Sequence, residues 1–301
     1  MKTSITVIAP SSGCIDCKSK LEAAIKILKE KSFDSFFHSK ELFADLPLPY
    51  YANTREKRLD GLREAISDRA HHNDFDKEII WAFRGGYGSG ELVFDCMDLT
   101  NQKSFAKKLL IGFSDITAIH LLFNQSFNIP SLHAANLTTL NQTNADWIRT
   151  VINGEKYSIT LLPLNMNAEI FIKNDELLSG KIIGGNLAVL QTMIGTKLHP
   201  ETAGKILFIE DCNEPGYKIA RMLNHLEQAG LLDNVKSILL GEFTGGDEHK
   251  NYAINEFVSR HVNVPIFSIP CGHGEVNHPL LLGGDVKIHT NILEFRYILS
   301  I

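Results

Sequence analysis

A chain of 301 residues and 33.6 kDa is long for one hydrophobic core, so two domains are expected. Its 44% hydrophobic and 22% charged content is that of an ordinary soluble globular protein. A net charge of −5, with no long basic run, points away from nucleic acid and anionic membrane surfaces as partners. No apolar stretch approaches the roughly 18–20 residues of a membrane span, and the apolar core of residues 1–10 is too short for a signal peptide. Five cysteines, an odd number without a regular framework, suit a reducing cytoplasm, so the expected location is cytoplasmic.

In chain order, residues 4–9 read as a buried strand closed by Pro10-Ser11-Ser12-Gly13. A helix follows, with Leu21, Ala24, Ile25 and Leu28 on one face and Lys20, Glu22, Lys26 and Lys29 on the other. Between them Cys14-Ile15-Asp16-Cys17 has redox spacing but lacks the other features of a thioredoxin-like fold. A pair of small residues at a helix entry is the simpler account. Residues 54–70 read as a second helix with Leu59, Leu62, Ala65 and Ile66 inward.

Residues 78–83 form the next strand, which runs into Arg84-Gly85-Gly86-Tyr87-Gly88-Ser89-Gly90. Glycines at this density free the backbone and let N–H groups approach a ligand. No Lys-Ser/Thr pair ends the loop, and its spacing is not the dinucleotide fingerprint. An oxyanion or carboxylate loop and a structural tight turn both remain open. Residues 109–112 are a short apolar strand, followed by Ser114-Asp115 and then by Ile116, Ile119, Leu121, Leu122 and Phe123 at helical spacing. Strand, sharp turn, serine, helix is the geometry of a nucleophile elbow, and a Ser-Asp helix N-cap is the alternative. Another short strand covers 129–133. Strands alternating with helices predict a parallel sheet covered on both faces, with function at the carboxyl ends, where the glycine loop and Ser114 both fall.

From about residue 141 to 174 the pattern weakens, with a strand pair near 157–162 and 170–172, and is taken as the crossing to a second domain. The expected division is 1–165, a linker at 166–175, and 176–301. In the second block Asn186 caps a helix at 187–193, and 205–211 is a strand ending on Glu210 and Asp211. Residues 217–229 are a helix stopped by Gly230, and 235–241 a strand. Residues 265–274 carry a strand into His273, which stands between two glycines. Short strands at 286–289 and 293–299 follow. The expected fold class is α/β: an N-terminal parallel-sheet domain with the elbow, plus a C-terminal mixed α/β, barrel-like domain.

Acyl transfer needs a nucleophile, a base, an acid that orients the base, and N–H donors for the oxyanion. Ser114, His273 and Glu210 supply the first three. The N–H groups of Asp115 and of the glycine loop, at Gly86, supply the last. The order Ser, acid, His is that of α/β-hydrolases, although Ile116 stands where G-x-S-x-G would end. Glu214 is a second possible acid, ranked behind Glu210 because it is reached through the Pro215-Gly216 turn. Cys271, His273, Glu275 and His278 make a ligand-rich run without a standard zinc spacing, so neither a metal nor a cofactor is expected. His120 and His225 read as ordinary helical residues.

Arg84-Gly85-Gly86-Tyr87-Gly88, Ile111-Gly112-Phe113-Ser114-Asp115-Ile116-Thr117-Ala118, Gly185-Asn186, Leu207-Phe208-Ile209-Glu210-Asp211 with Arg221-Met222-Leu223, and Gly272-His273-Gly274 resemble the LD-carboxypeptidase family of serine peptidases. The match runs in order from Ala9-Pro10-Ser11-Ser12-Gly13 to Leu281-Leu282-Gly283-Gly284, nearly the whole chain. The resemblance implies a triad at Ser114, Glu210 and His273, a cleft between an N-terminal α/β and a C-terminal barrel-like domain, and a homodimer. It also implies hydrolysis of murein tetrapeptides between an L-centred diamino acid and terminal D-alanine, during cell-wall recycling. Asn186 is then expected to bind substrate, with Arg84 and Arg221 the candidates for its free carboxylate. One departure, His133-Ala134-Ala135 where the family often has His-Gly-Pro, bears on the substrate pocket. The alternatives are a microcin-immunity-like hydrolase of peptidyl or aminoacyl nucleotide amides, and a muropeptide-binding protein without catalysis. A metal-dependent amidase built on Cys271, His273 and His278 is a third.

Overall fold

The computed structural model describes residues 2–33, 35–37, 42–44, 50–67, 75–100, 105 and 107–298. In its first half β1 (Thr3–Ile8), β2 (Ser35–Phe37), β3 (Lys77–Ala82), β4 (Lys108–Gly112) and β5 (Ser131–His133) form a parallel sheet in the order 2-1-3-4-5. Every residue of β3 and β4 is buried, as expected of parallel strands covered on both faces. The polar residues among them sit at the strand starts and are paired. Lys108 Nζ lies 2.8 Å from Glu78 Oε2 and 3.0 Å from the Ala65 carbonyl. The opposite, carboxyl, ends run into 10–13, the glycine loop and Phe113-Ser114.

Helix α1 (Cys17–Glu30) buries Leu21, Ala24 and Leu28. Helix α2 (Arg55–Ile66) is capped by Thr54, whose side chain accepts from the Lys57 N–H at 3.4 Å. It ends at Ile66; residues 68–70 of the expected helix lie outside the described residues. Leu62, Ala65 and Ile66 are buried as expected, but Leu59 is only partly buried and the inward face also holds a charge, the buried Arg58. The Arg58 guanidinium donates to the carbonyls of Asn53 (3.2 Å), Pro10 (2.7 Å) and Gly88 (2.9 Å) and to Glu91 Oε2 (2.9 Å), and lies over the Tyr51 ring. Five planar donors in a fixed fork can serve several carbonyls at once, which neither leucine nor lysine can do.

The second half is built on β8 (Leu177–Asn186), β9 (Ile206–Cys212), β10 (Ser237–Thr244) and β11 (Ile266–Gly272), parallel in that order, with β7 (Leu162–Pro163) antiparallel on the edge. The first half of β8 turns to a different partner, β13 (Asp285–His289), and continues through β14 (Ile292–Arg296) to β6 (Lys156–Thr160), all antiparallel. Strand β6 comes back against β11, which gives the curl expected of this half. Leu299, placed in the last expected strand, lies outside the described residues.

The two halves share one sheet. Strand β12 (Leu280–Leu282) pairs antiparallel with β5 and parallel with β8, so the strands of the halves run in opposite directions across it. Residues 141–174 are more regular than expected. Helix α4 (Gln142–Ile152) starts at a reciprocal Asn141–Asn144 capping box, and α5 (Met166–Lys173) starts where Asn165 accepts from the Ala168 N–H. Ile170 to Ile172, expected as strand, are helical because the apolar spacing there serves to bury Ala168 and Phe171. Residues 166–173, assigned in advance to a linker, are therefore this helix, and β6 and β7 just before it pair with strands from the end of the chain.

Replacing Arg58 by Met leaves three carbonyls and Glu91 without their buried donor. Destabilisation of about 2–4 kcal/mol is expected, measured by urea unfolding at neutral pH. An unchanged midpoint would show that Arg58 is not the clamp.

Candidate active site

Ser114 stands on the turn between β4 and α3 (Thr117–Leu121) with φ +66, a left-handed conformation unusual for serine. The surroundings hold it there. The Asn136 side chain grips both backbone polar groups of Phe113, accepting its N–H at 3.2 Å and donating to its carbonyl at 3.3 Å. Thr117 Oγ1 donates to the Ser114 carbonyl at 2.7 Å. His120, fully buried, accepts from Ser131 Oγ at Nδ1 (2.7 Å) and donates from Nε2 to the Gly112 carbonyl (2.9 Å); burial holds it neutral, at about 3. Its assignment as an ordinary helical residue therefore understated it.

The alternative of a Ser-Asp helix cap is not what the turn does. No side chain caps this helix start, and the Asp115 carboxylate instead accepts from Ser11 Oγ (2.5 Å) and the Ser89 N–H (2.8 Å). It thereby fastens two loops to the elbow. The Ser12 N–H donates to the Gly85 carbonyl (3.1 Å), and Ser12 Oγ accepts from the Tyr87 N–H (3.1 Å). Gly85 packs so closely that a Cβ there would lie 2.8 Å from Ser114 Cβ. Gly86, at φ +107, leaves no room for one against Ser12. Among the described residues no hydrogen bond uses the backbone N–H of Asp115 or Gly86.

Glu210 lies near the end of β9, fully buried, and His273 directly follows β11. His273 Nδ1 donates to Glu210 Oε2 at 2.6 Å. Burial disfavours the charged ring, but Cys212 and the Glu210 carboxylate facing it outweigh that and hold His273 far above its ordinary value, at about 10. Burial likewise works against the Glu210 charge, yet His133 and His273 hold it low, at about 2. His133 is a neighbour that sequence reasoning did not assign to the pair. Its Nε2 is 3.9 Å from Glu210 Oε1, and neither of its nitrogens nor that oxygen has a hydrogen-bond partner among the described residues. The His273 ring packs on Phe113 at 4.7 Å, next to Ser114, but no hydrogen bond joins Ser114 to His273 among the described residues.

Two cavities border this site. One of about 510 Å³ is lined by Ser114, Asp115, Gly86, Asn186, Cys212 and the carboxylates of Glu91, Asp211 and Glu214, among others. The other, of about 330 Å³, is lined by Phe113, Trp147, Asn141, Asn144 and the 272–277 loop with His273. Asn186 is present, but its side chain is engaged: it accepts from the Val189 N–H (3.2 Å) and donates to Asp211 (3.0 Å). Burial raises Asp211 to about 6, against the hydrogen bonds that it accepts from Cys212, Asn186 and Ala188. Neither expected arginine lines either of these two cavities. Arg84 donates to the Gly13 carbonyl, and Arg221 is exposed over the Tyr217 ring. Glu214 lies beside Lys218 at 3.3 Å, away from His273. Cys271, His273 and His278 do not converge, since His278 accepts or donates at Tyr157 OH (2.6 Å) and stacks on Trp147 at 4.1 Å. Among the described residues no three His, Cys, Asp or Glu side chains form a group able to hold a metal ion.

A serine on a left-handed strand-to-helix turn, beside a buried carboxylate–imidazole pair, is an arrangement met in serine hydrolases. Comparison with known proteins makes the class specific. The profile of the LD-carboxypeptidase N-terminal domain matches residues 5–134, and that of the LD-carboxypeptidase C-terminal domain matches 179–288. The chain belongs to the LD-carboxypeptidase family. A protein of Rickettsia conorii, provisionally named a carboxypeptidase, is 34% identical over 99% of this chain and 91% of its own. The murein tetrapeptide carboxypeptidase of Pseudomonas aeruginosa is 28% identical over 97% of this chain and 94% of its own. The muramoyltetrapeptide carboxypeptidase structure from Oxalobacter formigenes superimposes with a TM-score of 0.77 at 25% identity, covering 97% of both chains. No helix among the described residues is long and apolar enough to cross a membrane.

Because the Glu210 charge favours the imidazolium, the ring should keep its proton well above pH 6.5 in the free protein. Glu210→Gln removes that charge, leaving Cys212 alone to oppose burial. The His273 resonance, followed by NMR titration, should then titrate at lower pH than in the native chain. A midpoint that does not fall would exclude the pairing.

Proposed function

We propose that this protein is a serine LD-carboxypeptidase that removes the terminal D-alanine from murein tetrapeptides. The observation that carries the reading is the left-handed Ser114 beside the buried Glu210–His273 pair, with Ser114 lining one cavity and His273 another. In its neutral form His273, oriented by Glu210, takes the Ser114 proton through Nε2, and Ser114 Oγ attacks the carbonyl before D-alanine. The N–H groups of Asp115 and Gly86 receive the oxyanion. His273 then hands the proton to the departing amine, and a water, activated by the same ring, releases the acyl-enzyme. The Ser114–His273 hydrogen bond forms only when substrate fills the site, as catalytic hydrogen bonds often do. With neither arginine at hand, the leaving carboxylate falls to backbone N–H groups and the asparagines of the smaller cavity.

With this reading go a small peptide substrate and a cytoplasmic role in peptidoglycan recycling. A homodimer follows from the family resemblance, and sedimentation would test it.

Incubation with L-Ala-γ-D-Glu-meso-diaminopimelyl-D-Ala should release one D-alanine, read by mass spectrometry, with EDTA making no difference. Ser114→Ala should lower turnover by about a thousandfold or more. Turnover close to native by Ser114→Ala would refute the mechanism. Cleavage of an aminoacyl sulfamoyl nucleotide instead of the tetrapeptide would favour the microcin-immunity-like reading, and tight muropeptide binding without product would favour a binding protein.

Gly85→Ala is a sharper probe, since its new methyl presses on Ser114 and the Phe113 carbonyl and changes no functional group at the site. A loss of about a hundredfold in kcat is expected. An unimpaired variant would show that the close approach of the glycine loop to the serine does not matter.

A further inference from the structure

The Cys14-Ile15-Asp16-Cys17 motif takes no part in the chemistry above, yet its two thiols are in contact. The sulfurs are 3.2 Å apart, the Cys14 N–H donates to Cys17 Sγ at 2.8 Å, and the Cys17 thiol donates to the Cys14 carbonyl at 2.8 Å. The left-handed backbone at Asp16, φ 54, makes the tight turn that stacks them. A disulfide has its sulfurs about 2.05 Å apart, so an approach of about 1 Å would close the bond. Both residues are half-buried and within reach of solvent, whereas Cys96 and Cys271 are buried and Cys212 stands alone in the larger cavity.

The two thiols are not equivalent. Cys17 is the first residue of α1, and its sulfur accepts the Cys14 N–H. Cys14 is held as a thiol: burial and the hydrogen bond with Cys17 push it up to about 11, against the nearby Lys20 and Arg84. Cys17 is therefore the attacking sulfur and Cys14 the resolving one. The position matters as well. Ser11, Ser12 and Gly13, directly before Cys14, make the hydrogen bonds to Asp115, Gly85, Tyr87 and Arg84 that fasten the glycine loop beside Ser114.

We propose that Cys14 and Cys17 form a reversible disulfide by exchange with a small-molecule disulfide, and that closing it loosens the hold of residues 11–13 on the glycine loop. The Cys17 thiolate attacks one sulfur of the small disulfide, its S–S bond breaks, and one thiolate leaves, giving a mixed disulfide on Cys17. Cys14 then loses its proton to solvent and attacks Cys17 Sγ, and the second small thiolate leaves. Two protein thiols are oxidised and one small disulfide is reduced to two thiols. Pairs of this kind in a reducing compartment are usually transient or redox-sensing rather than structural.

The test is oxidised glutathione added to the reduced full-length protein, followed by alkylation, trypsin and mass spectrometry. Residues 3–18 form one tryptic peptide that carries both cysteines. It should appear unalkylated and two hydrogen masses lighter, and return to two alkylated thiols after dithiothreitol. Cys14→Ser should trap one glutathione on Cys17, while Cys17→Ser should leave Cys14 alkylated and unmodified. Two alkylated thiols in the treated native chain, or glutathione retained there, would overturn the site. Amide exchange at Tyr87 should be severalfold faster in the oxidised form, and equal rates would overturn the coupling. Neither readout depends on the peptidase reading.

Discussion

A serine cannot hold a left-handed backbone without help, and most of the polar architecture in the N-terminal half is the help given to Ser114. Such a conformation costs on the order of 1 kcal/mol or more and persists only where neighbours over-determine it. Here Asn136 fixes the residue before it, Thr117 holds its carbonyl, and Asp115 anchors Ser11 and Ser89. Arg58 adds a second tier by gathering Pro10, Gly88 and Glu91 from below. Few of these groups face the cavities. Their joint effect is that the hydroxyl stands clear of the strand while the N–H groups around it stay unspent.

The second half solves a different problem, that of keeping a charge in the interior. Glu210 is fully buried, and its ionised form is sustained by His273 on one oxygen and by the proximity of His133 to the other. Removing a carboxylate and an imidazolium from water is expensive, and a close pair recovers much of it only when the geometry is good. The histidine is thereby poised in its charged form in the free chain. The same feature that positions the ring also makes its deprotonation the step that depends on pH.

Much of this was legible in the chain. Strands buried on both faces read as continuous apolar runs, so β1, β3, β4, β9 and β11 were located to within a residue or two, together with what their carboxyl ends carry. Helices α4 and α5 were missed because their start signals are asparagines, which read equally well as loop, and α8 (Lys250–Arg260) because its apolar face is thin. Arg58 was not legible as buried because a charged residue on an amphipathic helix normally points outward; its burial is set by carbonyls from two distant loops, at Pro10 and Gly88, which no local pattern encodes. Where the Arg84 and Arg221 side chains end was not legible for a related reason: proximity in a motif says nothing of where a long side chain ends. His133 beside Glu210 depends on the β5–β12–β8 junction, a pairing of segments some 150 residues apart in the chain.

That junction also orders events at the ribosome. Strand β12 sits in the middle of the shared sheet but comes from residues 280–282, long after β5 and β8 in the chain. Until they emerge, β5 has an unpaired edge and β8 lacks its neighbour. An open parallel edge is a template for pairing with other chains, and non-local pairing of this kind closes slowly. The N-terminal sheet must therefore wait, complete on one side and exposed on the other, for three leucines to finish it. Chains cut short of residue 280 should be the ones that chaperones and proteases see most.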